Sequence, residues 1–441
     1  MIKLAVIADD LTGANDTAVQ FAKNNISSCV RINFDQKNLL RETSEVVVFD
    51  TDSRDIDATL AHNKVKKLCE ALQDSGVVHV YKKVDSTLRG NLGAEIEAIT
   101  KVFQPEVTVI APAFPSNKRT TVGGFHLLDG IPIELTEIAY APKSPVKESR
   151  IIELLKKQTP NREIGLITLP TIVKGVDAIQ EAIKACVANG EKWIVFDSIE
   201  NGHLTAIVEA TKCYQEVLFV GSAALADCLP AIYQWQKKEQ RQMLDTKGSV
   251  LVIAGSVSKT TQAQVGEALK LPNMSLIKMD VVHLVNQQED EIERCIKAAK
   301  SLLYENKDIL IASALDDEDV NAALAAGKKH GMSSEKVSEV IAVSLGKITE
   351  SLVVFKIAGM VLTGGDTAIH VCRSLKAEAI EVIAEVAIGI PLGKLVGGVC
   401  DGLQVVTKAG AFGTKQSFVQ AIKAIRQVNS FKIEDNIQEK H

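Results

Sequence analysis

Short apolar runs recur along this chain at 2–8, 45–49, 77–82, 107–111, 164–168, 193–197 and 217–221, with helical segments between them. Parallel strands need helical crossovers, so this alternation predicts a doubly wound, mainly parallel sheet. A second series follows at 249–254, 274–280, 308–313, 359–363 and 403–407. Between the two, residues 234–248 are polar and charged without a strand-like run, which marks a linker. The expected architecture is α/β: two doubly wound, mainly parallel-sheet domains, 1–233 and 249–441, with a ligand cleft between them. A length of 441 residues agrees, since it exceeds one ordinary core. No sequence repeat relates the halves.

Composition narrows the function. With 46% hydrophobic but only 4% aromatic residues, the chain suits sheets buried on both faces. A net charge of −5 leaves no basic field for nucleic acid. The 8 cysteines are scattered, with no Cys-x-x-Cys pair and no matching histidine spacing for zinc, and read as reduced core residues. The first apolar run breaks at Asp9, too soon for a signal peptide, and no stretch approaches a membrane span. The expected location is the cytoplasm.

Ligands of open α/β sheets bind at the carboxyl ends of strands, so those positions carry the functional argument. The first run ends on Asp9 and Asp10. Only Gly13 is present in that turn, where a dinucleotide site needs a glycine-rich fingerprint. Two carboxylates repel a pyrophosphate but accept hydrogen bonds from sugar hydroxyls or hold a cation. Simple capping of the following helix is the plainer role for either acid. The second run leads into Asp50-Thr-Asp-Ser-Arg54, and the third into Lys82, Lys83, Asp85, Ser86 and Arg89, a set able to grip a small carboxylate. A helical pattern follows from Gly93. Residues 111–126 have two prolines and a glycine pair and are expected to form a shaped loop rather than a regular element. Arg119, Thr120 and His126 of that loop could reach the same cleft, His126 in a structural role.

In the second half, Gly255-Ser-Val-Ser-Lys-Thr-Thr-Gln262 mimics a phosphate loop with Lys259 and Thr260, but lacks the second glycine and the spacing of a Walker motif. Thr363-Gly-Gly-Asp-Thr-Ala368 and Thr407-Lys-Ala-Gly-Ala-Phe-Gly-Thr414 are two further turns of the same kind. Three such turns, each offering unpaired N–H groups and the positive end of a helix, imply a polyphosphate ligand. Asp366 could take a metal or a ribose hydroxyl.

Taken in order, Ala8-Asp-Asp-Leu-Thr-Gly-Ala14, Lys82 to Asn91, Ala111-Pro-Ala-Phe-Pro115 with Arg119-Thr-Thr, Gly255 to Ser258, Thr363 to Ala368 and Lys408 to Gly413 make the chain resemble the four-carbon acid sugar kinase family. The resemblance spans nearly the whole length. It implies an ATP-dependent kinase of tetronates, D-threonate or D-erythronate first and 3-oxotetronate as the alternative. The acid sugar would lie on the N-terminal domain, with Asp9, Arg54, Lys82, Lys83, Asp85, Ser86 and Arg89 as contacts. ATP would lie on the C-terminal domain, against Ser256, Ser258, Gly364, Gly365, Asp366, Thr367, Gly410, Ala411, Phe412 and Gly413. One departure is Lys118, where the family favours glycine, which bears on the loop's backbone conformation.

The expected reaction moves the γ-phosphoryl group to the terminal hydroxyl. Arg54, Lys82 or Lys83, and Arg89 would hold the substrate carboxylate. Asp9, Asp10 and Asp85 would orient the hydroxyls, with Asp10 or Asp85 as the base, and Asp366 would hold Mg²⁺. The partners expected are the acid sugar and ATP, without nucleic acid or membrane, and a homodimer stays open. Two rivals are a hydroxy-acid dehydrogenase, opposed by the missing Gly-x-Gly-x-x-Gly, and a non-enzymatic sugar-acid sensor.

Overall fold

The computed structural model describes residues 2–32, 44–141, 143–232, 235 and 247–426. Its backbone divides into two compact units, Met1–Lys238 with Glu378–Ile383, and Glu239–Ala377 with Ala384–His441. Apart from Trp235, Lys247 and Gly248, the linker expected at 234–248 lies outside the described residues.

In the first unit, β1 (Leu4–Ala8), β2 (Ser28–Arg31), β3 (Val46–Asp50), β4 (Val80–Lys83) and β5 (Val107–Ala111) precede a small excursion. That excursion holds β6 (Arg119–Val122), β7 (Phe125–Leu128) and β8 (Ile131–Pro132), and β9 (Ile164–Ile167), β10 (Trp193–Phe196) and β11 (Val217–Gly221) complete the main sheet. The sheet runs β2-β3-β1-β4-β11-β5-β10-β9, and these neighbours pair in parallel. Every residue of β1 is buried, as a continuous apolar run covered on both faces should be. Because the chain turns to β3 on one side of β1 and to β4 on the other, the switch point falls at the carboxyl end of β1. Asp9 and Asp10 follow directly.

Two features depart from the sequence expectation. Residues 111–126 are not all loop: β6 and β7 form an antiparallel hairpin, with Arg119 opposite Leu128 and Val122 opposite Phe125. Backbone pairing there outweighs a sequence rich in prolines and glycines, because the prolines precede β6 and Gly123 and Gly124, both at positive φ, make its turn. The second feature is the return of Glu378–Ile383 to the first unit. The strand β16 (Ala379–Ala387) begins there and pairs antiparallel with β2, Ala379 opposite Arg31 and Val382 opposite Ser28.

The second unit contains β12 (Ser249–Ala254), β13 (Met274–Lys278), β14 (Asp308–Ala312), β15 (Ile357–Thr363), β17 (Ile390–Val396) and β18 (Gln404–Lys408). Their order is β13-β14-β12-β15-β18-β17, parallel except for β17 against β18. Val252, Val361, Val406 and Phe418 are among its fully buried core. The carboxyl ends of the adjacent strands β12, β15 and β18 bring the three glycine or hydroxyl turns side by side.

Candidate active site

At the rim of the first unit, Asp10 caps the helix Leu11–Lys23, its Oδ1 accepting from the Gly13 amide at 2.8 Å. It also does more than cap. Arg54, carried in from the turn after β3, donates through Nε and Nη2 to the two oxygens of Asp9 at 2.8 and 2.9 Å. The same guanidinium donates through Nη1 and Nη2 to Asp10 at 2.6 and 2.7 Å. The backbone fits the clamp closely: a Cβ on Gly90 (φ 100°) would meet Asp9 Oδ2 at 3.1 Å and Arg54 Cγ at 3.2 Å.

Two adjacent buried acids sharing one guanidinium do not titrate alike. Burial is the largest influence on both and raises them; at Asp9 the charge and hydrogen bonding of Arg54, with the charges of Lys82 and Lys83, together outweigh it and the carboxyl ends below its ordinary value. At Asp10 burial wins, with the Asp9 charge adding to it, and the carboxyl is raised.

Asp85 sits in the turn after β4, where Arg89 grips it through Nε at 2.7 Å and Nη2 at 3.2 Å and the Thr87 hydroxyl donates to it. Burial opposes ionisation, yet Arg89 and Arg54 hold this carboxyl well below the usual range. The Ser86 carbonyl accepts from His126 Nε2 at 2.8 Å, while His126 Nδ1 meets the Thr121 hydroxyl at 3.1 Å. Burial pushes His126 down to about 4, so its neutral ring is a strut between the β6–β7 hairpin and the Asp85 turn. Ser86 is thereby placed beside Asp85. Lys83 also stays at the rim, its Nζ donating to the Val84 carbonyl at 3.0 Å and lying 2.9 Å from where a Gly13 Cβ would be.

Lys82 requires a correction. Sequence reasoning puts its amine on the substrate, but the side chain is fully buried, and Nζ pairs with Glu95 Oε2 at 2.7 Å. Strand alternation explains this, since successive side chains of β4 point to opposite faces and only one of two adjacent lysines can face the rim. Glu95, in the first turn of the helix Leu92–Phe103, also accepts from the Ser53 hydroxyl. Asp50, at the end of β3, is a residue that sequence reasoning named in a polar cluster but gave no role. Burial pushes its carboxyl up to about 8, and its Oδ2 is buried without a hydrogen-bond partner.

In the second unit the three turns interlock. Ser258 caps the helix Lys259–Ala268 by accepting from the Thr261 amide, and donates to the Gly410 carbonyl at 2.7 Å. Thr261 Oγ1 donates to the same carbonyl at 3.0 Å, and Gln264 Nε2 to those of Phe412 and Thr414 at 3.0 and 2.9 Å. Ser256 lies so close to Gly410 that a Cβ there would overlap its hydroxyl. Gly364 (φ 98°) leads Gly365, the exposed Asp366 and buried Thr367 into the helix Gly365–Ser374. Lys259 is drawn away to the surface by Asp317.

The residue that sequence reasoning placed in a motif but gave no role is Lys408, 4% exposed at the end of β18. Its Nζ donates to the carbonyls of Ala409, Gly410 and Phe412 at 2.6, 2.9 and 3.0 Å, and burial pushes the amine down to about 7. With these carbonyls turned inward, the N–H groups of Gly410, Ala411 and Gly413 have no acceptor among the described residues. Thr363 Oγ1, at the end of β15, is buried without a partner. Unpaired amides and a buried orphan hydroxyl around a glycine loop fit a bound phosphate chain. Among the described residues no group of three or more His, Cys, Asp or Glu is placed to hold a metal ion. No helix among them is long and apolar enough to cross a membrane.

Comparison with known proteins follows this division. Residues 4–229 match the family model of a sugar-binding N-terminal domain, and 251–418 that of a nucleotide-binding C-terminal domain. The chain is 36% identical to the D-threonate kinase of Salmonella typhimurium over 434 residues, covering 97% of this chain and 99% of that one. It is 28% identical to the D-erythronate kinase of Heliobacterium modesticaldum, covering 95% of each. In fold it is similar to a crystal structure from Haemophilus influenzae, with a TM-score of 0.78 at 23% identity over 96% of this chain and 100% of that one.

Proposed function

We propose that this chain, which belongs to the four-carbon acid sugar kinase family, transfers the γ-phosphoryl group of ATP to the terminal hydroxyl of a four-carbon sugar acid, D-threonate or D-erythronate in first place. The observation that carries this reading is the rim of the first unit, where Asp9, Asp10 and Asp85 stand ordered by Arg54 and Arg89 at a sheet switch point. Such a set offers several aligned acceptors for a short polyol chain. The 36% identity to a D-threonate kinase supports the choice of acid.

Asp10 is the better candidate for the base. A group held well below the ordinary carboxylate range, as Asp85 is, takes up a proton poorly, whereas the raised Asp10 is closer to the match that proton transfer rewards. Asp85 and Asp9 stay ionised and orient hydroxyls. Lys83 and Ser86 complete the acceptor side.

The nucleotide would lie on the second unit, its phosphates against the amides of Gly410, Ala411 and Gly413 and the hydroxyls of Ser256, Ser258 and Thr363. Phe412 and Gly364 to Thr367 would border it. Asp366 is the carboxylate that would hold Mg²⁺ beside the phosphates, where the ion would supply charge neutralisation.

The test is ADP release, coupled to a spectrophotometric readout, across D-threonate, D-erythronate, their enantiomers and 3-oxotetronate, with the product identified by mass. A gain of one phosphoryl group on a tetronate is expected. No tetronate-dependent ADP release by folded protein would overturn the reading.

A further inference from the structure

Of the cations around the acidic rim, Arg119 stands apart. Arg54 is shared by Asp9 and Asp10, Arg89 is bound to Asp85, and Lys82 is sealed against Glu95. Lys83 donates to the Val84 carbonyl. Arg119 lies in the field of Asp85 and Glu137 without being paired to either.

Its surroundings leave the guanidinium only partly satisfied. Nε is buried and has no hydrogen-bond partner, and Nη1 is turned to the Asn117 carbonyl. Among the described residues no carboxylate lies within ion-pair distance of its guanidinium. A buried donor left unmatched is destabilising, so a fold that keeps one at a rim of polar groups has a reason outside its own packing.

The hairpin holds this guanidinium in place. Lys118 turns the chain through φ 59°, Arg119 and Phe114 exchange backbone hydrogen bonds at 2.8 and 3.1 Å, and His126 ties the next strand to the Ser86 carbonyl. Arg119 therefore stands within electrostatic reach of Asp85, Glu137 and Arg89. An arginine at that position, with one face of its fork unspent, matches a carboxylate in geometry and in charge.

We infer that Arg119 is the anchor for the carboxylate of the acid substrate, and so the residue that separates a sugar acid from the neutral polyol of the same length. The inference rests on the proposed function and assigns Arg54 a different duty: it orders Asp9 and Asp10 rather than gripping the substrate. Discrimination of this kind comes from a charge that is left unpaired when the wrong molecule binds.

R119Q and R119K are to be compared with the wild type on the best tetronate and on the matching tetritol, in which CH₂OH replaces the carboxylate, alongside calorimetric titration with the tetronate alone. R119Q should raise KM for the tetronate about 30-fold, the range of a lost charge-assisted pair. Its KM for ATP and its slow turnover of the tetritol should stay within about twofold of wild type, and R119K should fall between. Thermal stability should not drop, since Arg119 satisfies little of the fold. An unchanged tetronate KM in R119Q, or an equal loss on acid and polyol, overturns the anchor while leaving the kinase reading intact. A wild type that neither turns over nor binds any tetronate overturns both.

Discussion

Lys82 and Glu95 form an ion pair closed off from solvent, Nζ to Oε2 at 2.7 Å with side-chain exposures of 0% and 2%. Removing one partner of such a pair leaves a bare charge in the interior, whereas replacing both with apolar groups of similar volume is often neutral. Lys82→Met is expected to cost about 3–5 kcal/mol in urea unfolding. The double variant Lys82→Met, Glu95→Leu should recover most of it, and a double variant as unstable as the single would contradict this account.

Asp10 and Asp85 separate by pH. Asp10 is raised above its ordinary value and must be ionised to accept a proton, so kcat should fall on the acid side as Asp10 takes up a proton. Asp10→Asn is expected to lower kcat about 10²–10⁴-fold and to abolish that acid limb. Asp85 is held well below the usual range and stays charged throughout. Asp85→Asn should therefore leave the limb in place while raising KM for the acid sugar, and kcat recorded between pH 5 and 9 distinguishes the two.

Lys408 gives the nucleotide loop its own pH dependence. Its amine, pushed down to about 7, is charged below that pH and gives up one of its three donors above it, loosening the carbonyls of Ala409, Gly410 and Phe412. KM for ATP should rise several-fold from pH 6 to 8.5 with little change for the acid sugar. Lys408→Met should show the higher ATP KM at every pH. A steep profile surviving in Lys408→Met would assign the titration elsewhere.

Lys118 has φ 59°, in the region that costs a side-chain-bearing residue roughly 1–2 kcal/mol. Glycine removes that strain but adds freedom to the unfolded chain, about 0.4–1 kcal/mol. Its exposed ion pair with Asp129 is worth little. Lys118→Gly should raise stability by up to about 1 kcal/mol, seen as a higher Tm. A lower Tm would mean the lysine contributes through contacts beyond its backbone.

The strands buried on both faces were legible because their apolar runs are unbroken, as in Leu4–Ala8 and Asp308–Ala312. Ser28–Arg31 was not, being four residues with no apolar run. Ala379–Ala387 carries Glu381 and Glu385 along a half-covered face, so its pattern is neither continuous nor helical. In the site, motifs identified the participants but not their pairing. Whether Lys82 meets a ligand or Glu95 depends on which face of β4 it occupies, and Arg54 reaches Asp9 across 45 positions only because β1 and β3 are neighbours. Lys408 stood in a motif without a role because its partners are carbonyls, which every residue possesses.

The strand returning at Glu378–Ile383 limits how this protein can be divided. A fragment cut at the polar segment near 234–248 would keep nearly all of the sugar-side sheet yet lose the neighbour of Ser28–Arg31. That bared margin would present unpaired amides and carbonyls, a template on which a second fragment could dock. Recombinant halves of this chain should self-associate unless the missing six residues travel with the first of them.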